Sequence, residues 1–281
     1  MILVFGKTGQ VASELAKFDG IKTLGRDQAD LSDPAACADA ITACAPAAVI
    51  NAAAYTAVDA AEENEALASV INGDAPAAMA RTCATLNIPF VTISTDYVFS
   101  GTGSAPWKPS DPVGPLGAYG RSKLAGERAV LDAGGSAAML RTSWVFSAHG
   151  ANFVKTMLRL GAERDALNIV ADQIGGPTAA GDIAAACVTI ASALIDTPRA
   201  PALYHYAGIP DASWADFART IFDMAGIDCA VTDIPSSAYP TPAMRPKNSR
   251  LDCRSLTRTF GIERPDWRVS LRAVLSELQA I

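Results

Sequence analysis

Four apolar residues, Ile2-Leu3-Val4-Phe5, run straight into Gly6-Lys7-Thr8-Gly9-Gln10-Val11-Ala12. A short unbroken apolar run suits a strand buried on both faces of a parallel sheet. The helical pattern Val11, Leu15, Phe18 follows at once. Strand, glycine turn and helix in that order form the context a dinucleotide fingerprint requires. Glycines allow the tight turn and let backbone N–H groups approach a pyrophosphate at the start of the helix. The spacing is Gly-x-x-Gly-x-x-Ala, and Ala12 in the last place still permits close helix–strand packing. Gly6 and Gly9 are therefore candidate cofactor positions; taken alone, such a turn is also an ordinary way to leave a strand.

The alternation continues along the chain. Residues 21–24, 47–50, 88–93 and 137–140 read as further strands, and residues 59–68, 72–86 and 118–131 carry helical patterns. Strands alternating with helices of about 10–15 residues predict an α/β fold, a doubly wound parallel sheet of Rossmann type. Ligands of such sheets bind beyond the carboxyl ends of the strands. Gly6, Ala53, Thr95 and Asp96 all fall at such ends. The small residues Ala52, Ala53 and Ala54 leave room for a flat cofactor, or simply pack tightly. The second strand ends in Gly25-Arg26 where many such folds carry an acidic residue for the ribose 2′-hydroxyl of NAD. Arg26 suits the 2′-phosphate of NADPH, although an exposed turn arginine reads almost the same way.

Tyr119 and Lys123 stand four apart in a helical stretch, which places them on one face. An ammonium held under a phenol favours the phenolate and makes a general acid or base for interconverting a carbonyl and an alcohol. Most Tyr-x-x-x-Lys pairs merely line a solvated helix. Here the pair follows a hydroxyl-bearing strand end, Ser94-Thr95-Asp96-Tyr97, and a Gly- and Pro-rich loop from Gly101 to Gly117 that could cap a site. The fifth strand ends in Arg141-Thr142-Ser143-Trp144, whose indole could stack on a substrate ring or belong to the core.

After Gly150 the alternation loosens. Residues 1–150 read as a dinucleotide-binding domain, with part of 165–200 returning to it, and 151–281 as mainly a smaller substrate-binding domain. A chain of 281 residues can bury a core of that size. The net charge of −6 and the absence of a basic run argue against a nucleic-acid partner. Six scattered cysteines with no Cys-x-x-Cys pair, and only His149 and His205 to join them, argue against a structural zinc and for a reducing compartment. The amino terminus has no basic n-region or cleavage site, and no apolar run reaches the ~18 residues of a membrane span. The expectation is a soluble cytoplasmic protein.

Several runs together resemble the extended short-chain dehydrogenase/reductases, and within them the dTDP-4-dehydrorhamnose reductase family. They are Phe5 to Val11, Asn51 to Asp59, Ser94 to Phe99, Tyr119 to Glu127, Arg141 to Val145, Asn152 to Met157, Asp172 to Thr178 and Arg245 to Leu251, in one order over nearly the whole chain. The resemblance implies NADPH- or NADH-dependent reduction of the C4 ketone of a nucleotide sugar. Tyr119 is then the proton donor, with Lys123 lowering its pKa and holding the nicotinamide ribose, and Thr95 hydrogen-bonds the same ketone oxygen. It further implies that Gly9, Gln10 and Val11 meet the pyrophosphate and that Asp30 and Leu31 flank the adenine. Ala54, Tyr55 and Thr56 line the cofactor, while Val58, Asp96, Trp144 and Arg250 lie near the substrate. Some members hold magnesium at a dimer interface through glutamates. Glu14 matches one of these, but Gly181 stands where another is expected. That departure argues against the metal and leaves monomer and homodimer open. Other readings are a different nucleotide-sugar reductase or epimerase, and a non-catalytic regulatory subunit with the same fold; the presence of Thr95, Tyr119 and Lys123 together weighs against the last.

Overall fold

A computed structural model describes residues 1–281. Its elements are β1 (Ile2–Phe5), α1 (Gln10–Leu15), β2 (Ile21–Leu24), α2 (Pro34–Cys44), β3 (Ala48–Asn51), α3 (Val58–Ala61), α4 (Glu65–Ser69), α5 (Ala75–Leu86), β4 (Phe90–Thr95), α6 (Ala118–Ala133), β5 (Ala137–Thr142) and β6 (Val145–Phe146). They continue with α7 (Phe153–Glu163), β7 (Ala166–Val170), β8 (Ile174–Gly175), β9 (Thr178–Ala179), α8 (Ala180–Asp196), β10 (Ala202–His205), β11 (Ala212–Ser213), α9 (Trp214–Ala225), β12 (Ala230–Ile234), β13 (Asn248–Ser249), α10 (Arg254–Phe260) and α11 (Trp267–Glu277).

Six parallel strands form one sheet in the order β10-β5-β4-β3-β1-β2. The chain leaves β1 for β2 on one side and returns to β3 on the other. The reversal puts a crevice beyond Phe5 and Asn51, which face each other in register. Strands buried on both faces explain the apolar runs: alternate residues feed opposite layers. Val4, Ile50, Val91 and Leu140 pack against α1, α8 and α10. Leu3, Phe5, Val49, Phe90 and Met139 pack against α2, α5 and α6. A third core joins Phe146, Met157, Phe217, Ile221, Trp267 and Leu271 in the second half of the chain.

Residues 180–205 run back under the first sheet, so that α8 packs on α1 and β10 extends the sheet beside β5. In contrast, β7 pairs with β12, and β8 pairs with β11 and β13. The two helices expected over 59–68 and 72–86 are partitioned differently. Asp59 to Ala61 belongs to a separate single turn, α3, and α4 passes into α5 through a π turn, Val70–Asp74. The extra residue of a π turn rotates the helix surface, and it leaves Asn72 buried against α6. No helix is long and apolar enough to cross a membrane, and all six cysteines are free thiols.

Candidate active site

Gly6 ends β1 at φ +116°, where an L side chain is strained, and a Cβ there would press on Ala12 at 3.2 Å and on the Ala52 backbone at 3.4 Å. Gly9 has only Ala52 O near its missing Cβ, at 3.9 Å, so the turn stays open on the crevice side. Gln10 ties this turn to the second half: its Oε1 accepts from Ser147 Oγ at 3.0 Å and Asn152 Nδ2 at 3.1 Å. The Val11 and Leu31 side chains are buried in the two layers flanking the sheet, so any contact they make to a ligand runs through the backbone. Arg26 is exposed at the end of β2 with Nε 3.9 Å from Asp30. The Lys7 chain lies against Gly25 beside it.

Ala53 and Tyr55 line the crevice while packing on the core, and Thr56 is exposed. Asn72 fastens this stretch to α6. Its Oδ1 accepts from Tyr55 N at 2.8 Å, and its Nδ2 donates to Tyr55 O and Ser122 Oγ, each at 3.0 Å. Ser122 in turn donates to Tyr119 O at 2.8 Å. The buried amide is thereby satisfied while fixing the crevice wall to the first turn of α6. Helix α6 can come this close because Gly126 has no side chain: a Cβ there would sit 2.1 Å from Asn72 O.

At the end of β4, Thr95 Oγ1 accepts from Tyr97 N and donates to Asp96 Oδ1, both at 3.2 Å. The Tyr97 and Tyr119 rings meet edge to face at 5.6 Å. Burial pushes the Tyr119 phenol up to about 12, against a downward pull from the neighbouring Thr95 hydroxyl, while the Asp96 carboxylate adds to the rise. Lys123 is buried and donates to Ile93 O at 2.7 Å, and burial brings its pKa down to about 8 despite nearby Glu127. The ammonium is thus committed to β4, and the lowered phenol pKa expected from the Tyr–Lys spacing is not found, because desolvation of Tyr119 outweighs everything else acting on it.

Beneath Lys123 runs a buried ionic line. Glu127 accepts from Ser94 Oγ at 2.5 Å and from Arg141 Nε and Nη2 at 2.8 and 2.6 Å. Arg141 lies over the Phe99 ring, and its Nη1 faces His205 Nε2 at 3.5 Å. His205 Nδ1 donates to Trp107 O at 2.9 Å, and burial with Arg141 beside it depresses its pKa to about 3. The capping loop is thereby anchored at Trp107 to the sheet edge.

Asp96 is buried, with Ser249 Oγ donating to Oδ2 at 2.5 Å; burial raises its pKa to about 6, against the pull of the Ser249 and Thr95 hydrogen bonds. Next to Ser249, Gly175 leaves room for Trp144, whose ring would lie 2.9 Å from a Cβ there. Trp144 adopts φ 51°, a conformation that costs a bulky residue about 1–3 kcal/mol. Its indole stacks on Trp214 at 3.7 Å and 11°, and Trp214 Nε1 donates to Gln173 Oε1 at 3.1 Å. Thr142 Oγ1, in register with Thr95, is buried without a hydrogen-bond partner in the protein.

Thr95 and Asp96 are thus hydrogen-bonded, Tyr119 packs on the adjoining Tyr97, and Trp144 lies one step removed from Asp96, across Gly175 and Ser249. Arg250 is adjacent in sequence to Ser249, but its guanidinium is engaged by Asn248 Oδ1 at 3.1 Å and Asp211 at 3.7 Å. Val58 opens α3 beside Asp59, which pairs with Arg245 at 2.9 Å and accepts from Ala243 N at 3.1 Å. Ser249, Arg245, Thr142 and Trp214 were not singled out from sequence, and only tertiary placement makes them members of the site.

Glu14, His149 and Glu277 also converge. Lys17 Nζ lies 2.9 Å from Glu14 and 3.4 Å from Glu277, and His149 Nε2 lies 3.2 Å from Glu14. Gly181, 3.7 Å from Glu14 by its missing Cβ, adds no carboxylate. Magnesium demands oxygen ligands in near-octahedral order. An ammonium already bridging the two carboxylates, with a ring nitrogen as the third ligand, does not fit it, and no step is assigned to a metal.

Residues 1–280 match the family model described as RmlD substrate binding domain. A dTDP-4-dehydrorhamnose reductase of Sinorhizobium fredii is 45% identical over 284 residues, covering 98% of this chain and 96% of that one. A Salmonella typhimurium protein of the same name is 39% identical over 99% of this chain and 97% of its own. Among solved structures, a Bacillus anthracis dTDP-4-dehydrorhamnose reductase in complex with NADP superposes with a TM-score of 0.90 at 32% identity, covering 98% of each chain.

Proposed function

This chain belongs to the RmlD substrate binding domain family, and on that footing we propose that it is an NAD(P)H-dependent oxidoreductase that reduces the C4 ketone of dTDP-4-dehydro-β-L-rhamnose to dTDP-L-rhamnose. The observation that carries the reading is the packing of Tyr119 against Tyr97 of the turn that Thr95 caps at the carboxyl end of β4, next to the crevice that opens above the Gly6–Gly9 turn.

The open glycine turn, the small residues Ala52 to Ala54 and the unpartnered Thr142 hydroxyl fit a bound dinucleotide. Gly6, Gly9, Gln10 and the Val11 backbone would hold its pyrophosphate, Asp30 and the Leu31 backbone its adenine, and Tyr55, Thr56 and Lys123 its nicotinamide end. Arg26 and Lys7 would face a 2′-phosphate. When bound, the dihydronicotinamide supplies the hydride. The protein's own part is to hold the ketone oxygen between Thr95 and Tyr119 and to deliver the Tyr119 proton to it as negative charge develops. A phenol at about 12 keeps that proton until the oxygen becomes alkoxide-like. Trp144, Val58 and Asp96 would line the sugar, and Arg250 or Arg245 would meet the diphosphate, which pairs well with guanidinium.

The test is turnover of dTDP-4-dehydro-β-L-rhamnose with NADPH and NADH side by side, the product's C4 configuration being read by NMR. Formation of dTDP-L-rhamnose is expected, and no consumption with either cofactor would overturn the reading.

A further inference from the structure

Thr95 has one proton and two lone pairs. Tyr97 N occupies one lone pair, and the proton goes to Asp96 Oδ1. In that arrangement the Thr95 hydroxyl has no proton free for a ketone oxygen. A proton on Asp96 Oδ1 reverses the polarity. Asp96 then donates to Thr95, the lone pairs of Thr95 are filled by Asp96 and Tyr97, and the Thr95 proton is released towards a third acceptor.

We propose that Asp96 is a positioning residue whose protonation aims the Thr95 hydroxyl at the substrate oxygen. The inference rests on the reductase reading and adds a control to it. Ser249 anchors Oδ2, so the carboxyl cannot rotate away from Thr95 without losing that bond. The groups around Asp96 are Thr95, Tyr97 of the turn after β4, Tyr119 of α6 and Ser249 of β13. No Lys or Arg is among the groups that set its pKa; Lys123 is held by Ile93 O, and Arg245 is paired with Asp59. A buried carboxyl in such a place is the protonated form for part of the neutral range. Protonation also removes a negative charge from beside an oxygen that must become negative.

The test compares pH profiles of kcat for wild type, Asp96→Asn and Ser249→Ala, and adds the infrared spectrum of unliganded wild type minus Asp96→Asn. Wild-type kcat should fall above about pH 6, by about tenfold per unit. In Asp96→Asn the amide donates to Thr95 at every pH, so that limb should vanish and leave kcat flat until Lys123 deprotonates near pH 8. Ser249→Ala removes a donor to the carboxylate and should move the limb up by about one unit. The difference spectrum should show a carboxyl that titrates near pH 6. An unchanged limb in Asp96→Asn, or no carboxyl titrating between about pH 5 and 7, overturns the proposal. If Asp96→Asn does not fold, an unmoved limb in Ser249→Ala does so as well. Wild type that leaves the dTDP sugar untouched counts against the reductase reading alone, and the infrared titration still decides the state of Asp96.

Discussion

Tyr119 and Thr95 are neighbours because a strand end and a helix start are brought side by side. Replacing Tyr119 with Phe keeps the ring that meets Tyr97 edge to face and removes only the proton. Turnover should fall about 10²–10⁴-fold while NADPH binding, followed by nicotinamide fluorescence, stays within a few-fold. Binding lost in parallel with turnover would show that the phenol holds the cofactor instead. The residues whose chemistry follows from local spacing were legible: Tyr119 and Lys123 on one helix face, Thr95 at a strand end, Gly6 and Gly9 in a turn. Ser249 was not, since it reaches Asp96 across 153 residues of sequence and a serine in a short strand carries no local signal. Nor was the pKa of Tyr119, because spacing reports which groups are near but says nothing about desolvation.

Helix α6 carries both Tyr119 and the face that seats it. Gly126→Ala would drive a Cβ into Asn72 O, and the helix can yield only by withdrawing from the π turn. A loss of roughly 1–3 kcal/mol is expected, read by chemical denaturation, with a drop in kcat as Tyr119 moves with the helix. The His205 anchor makes a separate prediction. The native state keeps this imidazole neutral down to about pH 3, whereas an unfolded imidazole takes a proton below about pH 6.5. Between those values the unfolded chain binds more protons, so stability falls as pH falls. Tm should decline from pH 6.5 to pH 4, and His205→Asn, which still offers a donor towards Trp107 O, should flatten that decline. The elements themselves were largely legible, because buried parallel strands leave apolar runs and α6 and α8 leave strong patterns. The π turn was not: one extra residue in a helix leaves the composition unchanged and shifts only the angle at which Asn72 points.

Across the whole molecule, the proline-rich segment 235–247 bridges the two halves. Ser236 N donates to Asp172 at 2.7 Å, Lys247 pairs with Asp172 at 2.9 Å, and Arg245 reaches across to Asp59 beside Val58. Pairs this exposed contribute little to folding. Arg245→Ala should therefore leave Tm nearly unchanged while raising KM for the nucleotide sugar more than it lowers kcat. A large fall in Tm with KM unaltered would make the bridge structural. The sequence indicated two halves and returned part of 165–200, where α8 lies, to the first, yet it could not show that β10 and α10 also serve the first sheet, since an apolar face does not say which layer it will join. The stacked pair Trp144–Trp214 has an optical consequence. Two indoles in near-parallel contact share their excited states, so near-ultraviolet circular dichroism should carry a coupled band that weakens when either tryptophan is replaced by phenylalanine. With Trp144 lining the sugar as proposed, that band would give the protein a built-in gauge of ligand arrival that needs neither label nor turnover.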